Sequence, residues 1–245
     1  MLVDVKKQPG FKERKKSLDE FSAASHRDIV VIFVVVTIAI PAYATRDKII
    51  KVAAIGDSIT EGARLSVDEI NKKSYPAQLQ TLLGDRYKVT NYGLGARSLL
   101  STDLFPYGKE NFYKESQAAD PDIVLIMLGT NDSSSDHWDS VLYEKELAAF
   151  VGVYKNLPSR PKVYLLTVPV AYNPKTETNP ETINGTIVRN EVVPAILRVA
   201  KTTRTPVIDI YAATKDHLDL LPDGIHPNAE GYKLIAEKVY EIISR

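Results

Sequence analysis

Five short apolar runs, set apart by stretches of helical periodicity, constrain this chain more than any other feature of it. The runs read as strands at about Lys51 to Gly56, Tyr87 to Asn91, Ile123 to Leu128, Val163 to Val168 and Val207 to Ile210. Between them the apolar spacing turns helical, at roughly Tyr75 to Leu83, Leu142 to Asn156 and Thr186 to Lys201. A last helix is predicted from Asn228 to Ile243, with Ile235, Val239 and Ile242 on one face. Strands that alternate with helices are joined by crossovers, so they run parallel and the helices cover both faces of the sheet. Open α/β sheets of this kind hold their ligands outside the carboxyl ends of the strands.

The residues at those ends carry chemistry. The first run stops at Gly56-Asp57-Ser58, a glycine, a carboxylate and a hydroxyl. Ser58 suits a nucleophile, although Asp and Ser are also ordinary helix starters. Near the other end of the chain stands Asp223-Gly224-Ile225-His226-Pro227, where Pro227 keeps His226 out of helical geometry. Histidine is the side chain able to take a serine proton near neutral pH, and a carboxylate beside the imidazole fixes its tautomer. The third run ends in Gly129-Thr130-Asn131-Asp132, where the Asn131 amide can donate hydrogen bonds to a developing oxyanion. A fourth segment, Asn91-Tyr92-Gly93-Leu94-Gly95-Ala96-Arg97-Ser98, is a strand end followed by a small-residue loop whose backbone N–H groups suit the same purpose.

In this order, these four segments resemble the blocks of the SGNH (GDSL-type) hydrolase superfamily. Asn91-Tyr92-Gly93, Met127 to Ser133 and Asp223 to Pro227 resemble most its bacterial carbohydrate acetylesterase-like members. The resemblance implies a three-layer, flavodoxin-like α/β fold with a central parallel sheet flanked by helices. It implies a serine esterase that removes O-acetyl groups from carbohydrates through an acyl-enzyme on Ser58, with His226 as base and Asp223 orienting it. The oxyanion hole would come from the N–H groups of Ser58 and Ala96, or Gly95 under a one-residue shift, and from the Asn131 side chain. One departure stands out: where the family's second block usually closes on glycine, this chain has Ala96, which would be strained by roughly 1 kcal/mol if the site needs a positive φ. Two other readings stay open: a lysophospholipase or thioesterase with the same site, and a carbohydrate-binding relative without catalysis. No cofactor and no metal is called for, since His26, His137 and His217 show no ligand spacing.

Residues 1 to 28 are polar and basic, and Ile29 to Ile40 form an apolar core followed by Pro41-Ala42-Tyr43-Ala44. This pattern fits a signal peptide cut after Ala44 and a periplasmic or secreted enzyme, with an esterase domain over 45 to 245. The apolar core is shorter than the ~20 residues a bilayer span needs, so no lasting membrane anchor is expected. Without residues 1 to 44, 24 basic side chains face 26 acidic ones, a balance that suggests no nucleic-acid partner. The expected partner is a small-molecule or oligosaccharide ester. Phe105, Tyr107, Phe112 and Tyr113, then His137 and Trp138, and finally Tyr172, Pro174 and Pro180 lie on loops between the blocks, where they would either form substrate walls or pin the loops to the body. Arg64 and Arg97 read as solvated charges, with an anionic substrate as the other option.

Overall fold

The structure is a computed structural model that describes residues 48–134, 138–172 and 183–244. The expected leader, His26, His137, Pro174 and Pro180 lie outside the described residues. In chain order the main elements are β1 (Ile50–Gly56), α1 (Ser58–Glu61), α2 (Val67–Lys73), α3 (Tyr75–Leu83), β2 (Tyr87–Gly93), α4 (Asn111–Ala118) and β3 (Ile123–Met127). They continue with α5 (Ser140–Lys155), β4 (Lys162–Leu166), α6 (Val193–Thr203), β5 (Val207–Ile208), α7 (Ile210–Thr214) and α8 (Ala229–Ile243). Among the described residues, no helix is long and apolar enough to cross a membrane.

The strands form one parallel sheet in the order β2-β1-β3-β4-β5. The path steps from β1 to β2 on one side and then to β3, β4 and β5 on the other, so the winding reverses beside β1. Right-handed crossovers put the connections of the two directions on opposite faces, which makes three layers. Accordingly α3 packs with α8, and α5 packs with α6. Every residue of β3 is buried, as a central strand covered on both faces must be.

The register positions the site. Gly56 lies level with Gly93 on one side and with Met127 on the other, so β1, β2 and β3 end together. The three loops that follow therefore meet at one rim, at the topological switch point. Two glycines let α1 fold back over that rim. A Cβ on Gly93 would stand 2.1 Å from the Glu61 nitrogen, and one on Gly56 would stand 2.1 Å from Thr60 Oγ1.

The structure departs from the sequence reading in local ways. β5 ends at Ile208 instead of Ile210 because Asp209 caps α7, its carboxylate accepting from Ala212 N at 3.0 Å and from the Thr167 hydroxyl at 2.9 Å. The helix expected over Thr186 to Lys201 is interrupted by a π-helical turn, Val188–Val192. Pro194 stands just beyond it, has no N–H to give to the preceding turn and crowds its carbonyls, and a wider turn relieves both.

Candidate active site

Asp57 starts the one-turn helix α1. Its backbone is extended, and its Oδ1 accepts from Ile59 N at 2.9 Å, which fixes the turn that presents Ser58. The Ser58 hydroxyl lies 3.0 Å from His226 Nε2, and His226 Nδ1 lies 2.8 Å from Asp223 Oδ2. With the imidazole neutral, an Nδ1–H donating to the carboxylate leaves Nε2 to accept from Ser58. Asp223 Oδ1 accepts from the backbone N–H groups of Ile225, at 3.0 Å, and His226, at 2.7 Å. The Asp-Gly-Ile-His spacing is thus a turn that folds the carboxylate back onto its own imidazole. Burial raises the Asp223 carboxyl, but hydrogen bonds from His226, Ile225 and Arg64 outweigh it and hold the group well below the usual carboxylate range.

Asp57 behaves in the opposite way. It is fully buried, and burial pushes its carboxyl up to about 7 against the pull of the Ile59 N–H and the nearby Thr130 hydroxyl. Asp57 Oδ2 and Thr130 Oγ1 make no hydrogen bond, so Thr130 acts there as a neighbouring dipole and not as a bonded donor. The negative charge of Asp132 adds to the rise. Asp132 is itself buried and pushed up to about 6, while its two oxygens accept from Leu99 N at 3.0 Å and Leu100 N at 2.8 Å. It ties the third loop to the second.

The second loop settles which residue takes the unusual conformation. Ala96 has φ +58, the left-handed region that favours glycine, and Gly95 is not in that region. Gly95 instead packs under the turn, where a Cβ would stand 2.9 Å from Glu61 Oε2 and 3.8 Å from Ser58 Cβ. Asn131 donates one amide hydrogen to Arg97 O at 2.9 Å, which orients the side chain and leaves its second N–H for another acceptor.

Arg64 stays largely solvated but pairs with a carboxylate, and Arg97 departs further from the solvated reading. Arg64 Nε donates to Asp223 Oδ2 at 2.7 Å, although its side chain is 63% exposed. Arg97 donates to Glu110 Oε1 at 3.0 Å and to Gly95 O at 2.8 Å, and its guanidinium lies over the Phe105 ring. Of the candidate wall residues, most pin the loops. Tyr107 is buried with its hydroxyl on Tyr92 O, Tyr113 stacks on Phe150 at 4.9 Å, and Phe112 meets Tyr92 edge-on. Trp138 bonds Glu191 and leans on Tyr143, while the Tyr172 hydroxyl donates to the carbonyls of Leu218 and Leu221. Phe105 is different, 53% exposed beside Leu104. A depression of about 820 Å³, lined by Tyr172, Asn184, Arg189, Tyr211 and Lys215, contains none of Ser58, Asp223 or His226. His217 is exposed, and no group of His, Asp or Glu suited to a metal ion occurs among the described residues.

Three of the expected site residues, Ser58, Asp223 and His226, are thus linked in one hydrogen-bonded chain, with Gly95 packed against Ser58 and Asn131 tied to the same loop through Arg97. The sequence reading took Arg64 as a solvated charge and missed its pairing with Asp223, because it lies six positions after Ser58 in a loop without any spacing signal.

The chain is 35% identical over 213 residues to an acetylxylan esterase from Xylanibacter ruminicola, a match covering 79% of this chain and 43% of that relative. It therefore spans less than half the length of that relative. Among solved structures, an aryl esterase from M. smegmatis superposes with a TM-score of 0.63 at 21% identity, covering 80% of this chain and 98% of that one. A carbohydrate acetylesterase family member from Sinorhizobium meliloti superposes with a TM-score of 0.65 at 19% identity, covering 79% of this chain and 97% of that one. These two likenesses show the fold. The model of the GDSL-like lipase/acylhydrolase family matches residues 54–234, and the chain belongs to that family.

Proposed function

We propose that this protein is a serine esterase that releases acetyl groups from carbohydrates through an acyl-enzyme on Ser58. The observation that carries the reading is the unbroken hydrogen-bond chain from the Ser58 hydroxyl through His226 to Asp223, with spacings of 3.0 and 2.8 Å. The 35% identity to an acetylxylan esterase supports acetylated saccharides as the substrate class.

In the reaction, Ser58 Oγ attacks the ester carbonyl while its proton passes to His226 Nε2. Asp223, already bonded to Nδ1–H, stabilises the imidazolium that forms. The carbonyl electrons move to oxygen, where the N–H groups of Ser58 and Ala96 and the second amide hydrogen of Asn131 receive them, each donor worth about 3 kcal/mol in the transition state. The left-handed backbone of Ala96 is the conformation the glycine of this block would supply, so Ala96 takes the donor role and Gly95 forms the packed floor. Collapse of the adduct breaks the bond to the sugar oxygen, which leaves with the proton held on His226. Water repeats the sequence on the acetyl-serine: it gives a proton to His226, attacks the carbonyl and frees acetate, and the proton returns to Ser58. Phe105, exposed beside the Arg97 loop, is the aromatic surface available to a sugar ring.

Acetate release from a panel of acetylated xylo-oligosaccharides, set beside long-chain esters, tests the reading. The intact enzyme is expected to prefer the acetylated sugars, and Ser58→Ala to lose at least about 1000-fold in turnover with the fold unchanged. Preference for long-chain esters would transfer the same mechanism to lipids, and unaltered activity in Ser58→Ala would refute the nucleophile.

A further inference from the structure

The turn that carries Ser58 also brings a cation to the far end of the same hydrogen-bond chain. Just beyond α1 the backbone is held on both sides of one residue: Ala63 N donates to Ser58 O at 2.9 Å, and Ala63 O accepts from the Tyr232 hydroxyl of α8 at 2.8 Å. Arg64 follows with φ +71, a left-handed conformation that costs a non-glycine residue about 1 kcal/mol. From there its Nε reaches Asp223 Oδ2 at 2.7 Å, the same oxygen that receives His226 Nδ1 at 2.8 Å. Guanidinium and imidazole thus share one carboxylate oxygen, while the other oxygen is held by two backbone N–H groups.

We propose that Arg64 is a positioning residue for the acyl transfer, acting through Asp223: it fixes the carboxylate against His226 and, as a permanent positive charge, opposes positive charge on the imidazole. The proposal rests on the reading of Ser58, His226 and Asp223 given above. A carboxylate held by four donors among the described residues cannot swing away from the imidazole. Its charge is shared with the guanidinium, so protonation of His226 gains less from Asp223 than it would from a carboxylate without a cation partner. Among the described residues, the ionisable groups beside this chain include Tyr232 on α8, whose hydroxyl is pushed up by burial and by the charges of Asp57, Asp223 and Glu61, and Glu61 and Asp57 on the α1 side. All three are the same in the variants below, so their fields cancel in the comparison.

The test is the pH profile of kcat/KM for an aryl acetate, from about pH 5 to about pH 9, in wild type, Arg64→Gln and Arg64→Lys, each also made with Asp223→Asn. With the guanidinium removed, the acidic limb of Arg64→Gln is expected to move to higher pH by about half a unit. Arg64→Lys is expected to restore much of the wild-type limb, and in the Asp223→Asn background, where only the direct repulsion between guanidinium and imidazole is left, Arg64→Gln is expected to move the limb clearly less. A limb that stays in place in Arg64→Gln, or one that moves equally without the Asp223 charge, overturns the proposal, whatever happens to stability. Ser58→Ala, run alongside, separates the two levels. An active Ser58→Ala shows that the underlying reading has failed, whereas an inactive one with an unmoved Arg64→Gln limb shows that only the role of Arg64 has.

Discussion

Asp57 stands next to the nucleophile and carries the most contradictory electrostatics in the chain. Its Oδ1 does useful work as the cap of α1, but its Oδ2 is buried without a hydrogen bond, and Asp132 adds a second buried carboxylate nearby. In the fold Asp57 keeps its proton to about pH 7, whereas its ordinary value is 3.8. The folded state therefore binds more protons than the unfolded state between those values. The contribution to stability is present in full below about pH 4 and is lost as pH rises through about 7. Asn in place of Asp keeps the cap oxygen and never ionises. Asp57→Asn is expected to be more stable than wild type by about 1–3 kcal/mol at pH 8, and equal within about 0.5 kcal/mol at pH 4. Urea unfolding at the two pH values measures this, and a gain of the same size at both would show that charge is not its source. Ala96 and Gly95 teach a related lesson at this scale. Which of them takes the left-handed conformation could not be read in sequence, because both have an N–H and only the backbone dihedral distinguishes them.

At the scale of elements, the geometry of the site depends on a one-turn helix resting on strand ends. Strands long enough to show as apolar runs, and helices such as α3, α5 and α8 with two turns or more of periodicity, were legible. The predicted span Tyr75 to Leu83 matches α3 at both ends. The short helices α1, α2, α4 and α7 were not read, since four to eight residues leave too few turns for a periodic signal. What α1 requires is visible only as the glycines beneath it. Gly93→Ala would drive a methyl group into the Glu61 backbone at 2.1 Å, and backbone cannot rotate aside as a side chain can. We expect a loss of about 3 kcal/mol or more, with lower activity per folded molecule because Ser58 moves with the turn. Gly152→Ala in α5, where the added methyl meets nothing within 4 Å, is expected to gain about 0.5–1 kcal/mol instead. Chemical denaturation of the pair measures the contrast, and similar values for both would remove the argument from close approach.

At the scale of the whole molecule, the sheet order explains how groups 168 residues apart come to share a proton. β1 lies between β2 and β3, both end level with it, and the loop before α8 returns to the same rim. Those relations follow from strand order and register, and the motifs of Ser58, Asp223 and His226 could be read without them. Arg64 could not, because its contact exists only where two loops distant in sequence meet, and nothing in a lone arginine after a helix announces its partner. The Ser58 hydroxyl as the atom that accepts the acyl group is the claim on which the rest depends. The direct measurement is peptide mapping by mass spectrometry after treatment with an organophosphonate ester at neutral pH. A single adduct on Ser58 is expected, formed slowly or not at all in His226→Ala; stable labelling of another residue in the intact enzyme, with Ser58 unmodified, would contradict Ser58 as the acyl acceptor.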